Sequence, residues 1–121
     1  MRATVRYFHS PDLPDLGADR PGQADDFSIL IQAMVGPADG PGEESFGFHI
    51  CTPKWLMRTN EPDAVLLGRH MIIVFQYDIG AIESTIRALV ESIQGASWND
   101  LATQLNGFGQ WEFDAYREPT L

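Results

Sequence analysis

Residues 26–52 read DFSILIQAMVGPADGPGEESFGFHICT, and this stretch decides the fold. In its first part, residues 26–35, Phe27, Ile29, Ile31 and Val35 alternate with Ser28, Leu30, Gln32 and Met34. Period-two alternation is the mark of a strand that buries one face. The second face is only half polar, which predicts partial cover. GPADGPG at 36–42 follows, a turn segment of prolines and glycines. Residues 44–52 then place Phe46, Phe48 and Ile50 on one face and Gly47, His49 and Cys51 on the other. So short a connection favours antiparallel neighbours, so the two strands are read as a hairpin.

Working outward, residues 2–9 hold Thr4, Val5, Tyr7 and Phe8, which favour a first strand. Residues 10–25 carry Pro11, Pro14, Pro21, Gly17 and Gly22 and read as a loop. It is long for a compact domain, which predicts mobility or a binding role. Pro53 suits the first position of a helix of one or two turns, followed by a loop over 59–68. Arg69 to Tyr77 is the most apolar segment and is predicted to be a fourth, central strand.

Asp78 is placed to cap a helix in which Ile79, Ile82, Ile86, Leu89, Val90 and Ile93 recur at helical spacing, with Gly95 as its stop. Glu83, Arg87 and Glu91 lie opposite at i, i+4 intervals. Ser97 caps a second helix, with Asp100 as the partner in a variant capping box. Leu101, Ala102 and Leu105 face inward and Gly107 ends it. Residues 111–116 are read as extended, adding an edge strand or packing over the sheet. Strands first and helices last predict an α+β fold. Its expected form is a mainly antiparallel sheet of four to five strands with two C-terminal helices on one face. The 121 residues are expected to form a single domain spanning 1–121.

Seventeen acids against eight bases give a net charge of −9. Acid is dense at Asp12, Asp15, Asp19, Asp25 and Asp26, and again at Asp39, Glu43 and Glu44. Phosphate binding needs clustered lysine and arginine, so nucleic acid is an unfavoured partner. The charge fits plain solubility, or a basic protein partner drawn in by electrostatic steering. The longest apolar run, MIIVF at 71–75, is too short to cross a bilayer, so no membrane partner is expected. The N-terminal MRATVRYFHS is charged where a signal peptide needs an apolar stretch, so a cytoplasmic location is expected. Cys51 is the only cysteine; its apolar surroundings read as a small buried hydrophobe.

The chemistry-bearing residues form no recognisable apparatus. His9, His49 and His70 lie in or beside strands with no second ligand at metal spacing, so no metal or cofactor is expected. No GxSxG motif surrounds any serine. GPADGPG lacks the lysine and following helix of a phosphate loop. Glu43/Glu44 and Glu112/Asp114 could imitate a glycosidase dyad, but a solvated edge is the plainer reading. On a strand, Glu112 and Asp114 would share a face. Trp55, Trp98 and Trp111 read as core cover or as interface anchors.

Three segments carry a resemblance: FSILIQAMVGPADGPGEESFGFHICTPKWL at 27–56, GRHMIIVFQYD at 68–78, and SWNDLATQLNGFGQWEFDAY at 97–116. Together, in this order, they resemble the immunity proteins of bacterial polymorphic toxin systems, specifically immunity protein family eight. Such proteins carry WEFEDY where this chain reads WEFDAY. The resemblance implies a small inhibitor that binds a cognate toxin domain and neutralises it without catalysis, as a monomer or homodimer. The toxins of this class are often basic, which suits the negative charge. Glu43, Glu44, Trp55, Trp111, Glu112 and Tyr116 match characteristic positions. The candidate toxin-binding residues are Asp25, Asp26, Glu43, Glu44, Trp55, Glu112 and Asp114. Two other readings stay open: a small hydrolase or metal-dependent enzyme using the three histidines, and an adaptor domain of a secretion system.

Overall fold

The computed structural model describes residues 1–114. The elements run β1 (Ala3–His9), β2 (Ser28–Pro37), β3 (Glu44–Cys51), α1 (Pro53–Thr59), β4 (Met71–Ile73), α2 (Ile79–Ser92), α3 (Trp98–Leu105) and β5 (Gln110–Trp111). This is the expected α+β architecture, a mostly antiparallel five-stranded sheet with α2 and α3 as its C-terminal helices.

The hairpin forms as the alternation predicts. β2 and β3 pair antiparallel from Ser28↔Cys51 to Val35↔Glu44. β1 joins β2 antiparallel, with an irregularity between Val5 and Tyr7. One extra residue there flips the later side chains, so Val5 and Phe8, rather than Val5 and Tyr7, share the inner face. Arg6, at the bulge, donates from Nη2 to the carbonyls of Pro37, Gly40 and Gly42, which stitches the 36–42 turn to β1. Gly36 permits this fold-over: a Cβ there would lie 2.0 Å from the Gly42 carbonyl oxygen.

Inward residues of β1–β3 meet both C-terminal helices in one core. Phe46, Phe48, Ile31 and Ile50 join Ile82, Ile86 and Val90 of α2 and Leu101, Ala102 and Leu105 of α3. Each large apolar side chain taken out of water there contributes about 1.5–3 kcal/mol. Across the sheet, the outer face carries rows set by register: Tyr7–Met34–Ser45, His9–Gln32–Gly47 and Leu30–His49–Met71. These residues are half-buried or exposed.

Three expectations change. The segment 69–77 is not a central strand. β4 covers only Met71–Ile73, pairs parallel with β3 and lies at the sheet edge, where Ile73 is 53% and Phe75 78% exposed. β2 and β3 take the interior positions instead. The chain reaches β4 from β3 through α1 and a long connection, the kind of crossover that parallel pairing requires. Second, α2 ends before Gly95: Ser92 is its last residue, and Ile93 turns extended to bury its side chain. Gly95 serves α3 instead, because a Cβ there would sit 2.7 Å from Oδ2 of Asp100. Third, of the segment read as extended over 111–116, the described part is extended only at Trp111, within β5. A turn closed by the Asp114 amide on the Trp111 carbonyl at 2.9 Å follows at once. Ala115 and Tyr116 lie outside the described residues.

Both main caps form as read. Asp78 accepts from the Ala81 amide at 3.1 Å, and Ser97 from the Asp100 amide at 3.1 Å. The 10–25 loop is tied down more than its length suggests. Ser10 is fully buried and its Oγ accepts from the Asp12 and Leu13 amides, while Asp12 Oδ2 accepts from the Leu30 amide at 2.7 Å. That last bond continues the β2 ladder where β1 has ended.

Candidate functional site

The seven candidate residues fall into two groups at opposite ends of the β2–β3 hairpin. Asp25, Asp26 and Trp55 lie near the Ser28/Cys51 end, while Glu43 and Glu44 lie at the Val35/Glu44 end. The separation is about 23 Å along an extended strand. Glu112 and Asp114 follow β5, which pairs with Phe46 and Gly47, so they join the second group.

At the first end the acids are spoken for. Thr52 is fully buried and caps α1, its Oγ1 accepting from the Trp55 and Phe27 amides, each at 3.2 Å. This fixes α1 against the start of β2, and Lys54 and Arg58 then reach back to the loop. Lys54 Nζ lies 3.0 Å from Asp25 Oδ2, and Arg58 grips both oxygens of Asp26 at 2.9 and 3.0 Å. The Lys54 ammonium, by hydrogen bond and then by charge, lowers the Asp25 pKa. The same bonds raise Lys54 and Arg58 above their ordinary values. Trp55 is half-buried with its ring edge-on to His49 at 5.5 Å. Neither basic partner is foreshadowed by local spacing, because each pair joins residues about thirty positions apart.

At the second end the acids differ in how far the fold uses them. Glu112 and Ser45 are bound reciprocally: the Glu112 amide donates to the Ser45 carbonyl at 3.0 Å, and the Ser45 amide donates to Glu112 Oε1 at 2.8 Å. Asp114 Oδ1 accepts from Asn106 Nδ2 at 3.0 Å, and its Oδ2 lies 3.6 Å from Arg69. The two carboxylates therefore do not project side by side from a strand, as expected for an extended segment. They hold a turn. Asn106 is the hub the sequence did not reveal: its Oδ1 accepts from the Trp111 amide and its carbonyl contacts the His70 ring. Trp111 stacks parallel over Phe46 at 6.3 Å, which fastens β5 to the core.

Glu43 and Glu44 retain free acid capacity. Glu43 is exposed, and no cation among the described residues lies within 4.0 Å of it. Glu44 Oε1 accepts from the Trp98 indole, while Oε2 is out of solvent and has no hydrogen-bond partner. Two shallow depressions flank this pair. One of about 390 Å³ is bounded by Pro37, Pro41, Gly42, Glu43, Glu44 and Trp98. The other, about 200 Å³ on the outer face, forms over Gly47 beside Leu30, Gln32, Ser45 and Trp111.

The histidines do not converge. His70 bonds the Asn106 carbonyl at 2.7 Å, His9 is exposed on β1, and His49 contacts Ser28. Among the described residues no group of three or more His, Cys, Asp or Glu could hold a metal ion. The Ser28–His49 contact is the first half of a nucleophile–base arrangement. No described carboxylate hydrogen-bonds the His49 ring, so nothing orients it as a base. A depression of about 550 Å³ between β4 and α2 is lined on its apolar side by Ile72, Val74, Ile79 and Ile82. Tyr77 borders it, its hydroxyl buried without a partner and its pKa raised by that burial.

With this geometry in place, the family described as immunity protein 8 matches residues 3–116. The chain belongs to that family. The match spans every strand and helix above, including the Glu43/Glu44 turn and the Trp111 anchor. No curated protein and no solved structure matches the chain significantly. Membership in immunity protein 8 marks the chain as an immunity protein and supports a toxin-binding inhibitor. No helix among the described residues is long and apolar enough to cross a membrane.

Proposed function

We propose that this immunity protein neutralises a cognate, basic toxin domain in the cytoplasm by binding it, using the end of the sheet built from residues 36–45 and 110–114. The observation that carries this reading is the unequal use of acid. At the α1 end, arginine and lysine already neutralise the carboxylates. At the Glu43/Glu44 end one carboxylate is exposed and unpaired among the described residues, and the other keeps an oxygen without a partner. Charge left uncompensated is what a basic partner recognises and what speeds its approach. Asp25, Asp26 and Trp55 are assigned to holding α1 against the sheet rather than to contact.

A complex of ordinary stability buries about 800 Å² on each partner, more than either depression supplies. Leu30 and Gln32 line the depression over Gly47, and with Tyr7 and Met34, which share a register row with Ser45, they would provide the remainder. Coexpression with the adjacent gene product tests the proposal. Cells that make the neighbour alone should die, and those that also make this chain should survive. A harmless neighbour that never co-purifies with the chain would leave the adaptor reading standing instead.

A further inference from the structure

The depression at the turn end has walls of unusual chemistry for its size. Trp98 supplies a half-buried indole, Pro37 and Pro41 supply apolar rings, and Glu43 and Glu44 supply carboxylates. Its rim is fixed before any partner arrives. Arg6 holds three carbonyls of the turn, and Gly36 lets the Gly42 carbonyl pack where no side chain would fit. A pre-set site loses less conformational freedom on binding than one that must be ordered. Within it, Glu44 is half used. Its Oε1 takes the Trp98 indole hydrogen, and Oε2 has no donor. A buried acceptor left unsatisfied costs free energy that an incoming donor recovers.

The geometry points to this depression as a receptor for one arginine side chain of the toxin. Among cations, guanidinium suits these walls best. It is planar and weakly hydrated, stacks on an aromatic face, and offers several donors to a carboxylate at once. An ammonium is a strongly hydrated point charge and gains less from proline and indole walls. Glu43, exposed at the rim, would guide the cation in, and Glu44 would take it once a small turn of its side chain brings Oε2 to the opening. The assignment rests on the toxin-binding reading only for the source of the arginine; the pocket chemistry stands on these residues.

The probe is therefore N-acetyl-arginine amide, with N-acetyl-citrulline amide as its uncharged near-isostere, titrated into the full chain and followed by the tryptophan indole N–H resonances. The Trp98 signal is identified by its loss in Trp98→Phe. Arginine should move the Trp98 signal in a saturable way while Trp55 and Trp111 stay still, citrulline should not, and Glu44→Gln should abolish the movement. Should Glu44→Gln disturb the fold, the exposed Glu43→Gln takes its place, with an expected weakening of about threefold, the scale of one exposed charge contact. No saturable movement, equal movement with citrulline, or unchanged binding in the glutamine variants would overturn the assignment. A chain that binds the probe yet fails to protect cells keeps the pocket and loses the toxin reading. A chain that protects without binding the probe does the reverse.

Discussion

Replacing Glu112 and Asp114 together by lysine separates two roles for the C-terminal turn. Glu112→Lys removes the acceptor for the Ser45 amide on the edge of β3, a single hydrogen bond of about 1 kcal/mol net. Asp114→Lys removes the acceptor for Asn106 Nδ2, a similar loss of about 1 kcal/mol. It also replaces the contact with Arg69 by repulsion. At 3.6 Å, with 61% and 25% of the two side chains exposed, that pair contributes at most about 1 kcal/mol. The sum is about 2–3 kcal/mol. The assay is urea unfolding followed by tryptophan fluorescence, where the midpoint should fall by about 1–2 M. Glu112→Gln keeps an oxygen acceptor and should lose much less. A double variant within about 0.5 kcal/mol of the parent would place both carboxylates in water and refute the structural role given to the turn.

Other perturbations test the framework that holds the site. Gly109→Ala should destabilise by about 1–3 kcal/mol, read as a lower melting temperature, because the new Cβ would lie 2.5 Å from the buried Phe48 ring. Thr52→Ala should cost about 1–2 kcal/mol, since one buried hydroxyl serves both the Phe27 and Trp55 amides, and Thr52→Ser should recover most of it in the same urea assay. In Lys54→Met, the Asp25 carboxyl should titrate back toward 3.8, measured by side-chain carboxyl NMR. The sign follows from a folded pKa below the unfolded one. The pair's contribution to stability is present above the ordinary carboxylate range and is lost as pH falls through the depressed value.

What could be read in advance was whatever acts over a few residues. The alternation of Phe27, Ile29 and Ile31 against Ser28, Leu30 and Gln32 placed β2, and Asp78 and Ser97 announced their helices. The MIIVF run misled because an apolar strand reads the same whether the sheet continues beyond it or stops. Here only Ile72 and Val74 pack against the core, while Ile73 and Phe75 are largely exposed. The roles of the acids were least legible. Whether a carboxylate is structural depends on a donor far along the chain: Ser45 for Glu112, Trp98 for Glu44, Arg58 for Asp26. Local spacing carries no trace of such partners. The acidic candidates therefore looked alike in the sequence and divide only once the hairpin sets its two ends apart.

We propose above that the protein inhibits by binding its toxin through the Glu43/Glu44 end. The most direct test is the affinity of the full chain for the purified toxin domain encoded beside it, compared between the parent and Glu43→Lys. Glu43 is exposed, so the substitution leaves the fold in place. The expected result is a one-to-one complex whose association slows as salt rises, weakened about tenfold or more by the lysine, chiefly through the association rate. Equal affinity of the two chains, or no complex at all, would contradict it.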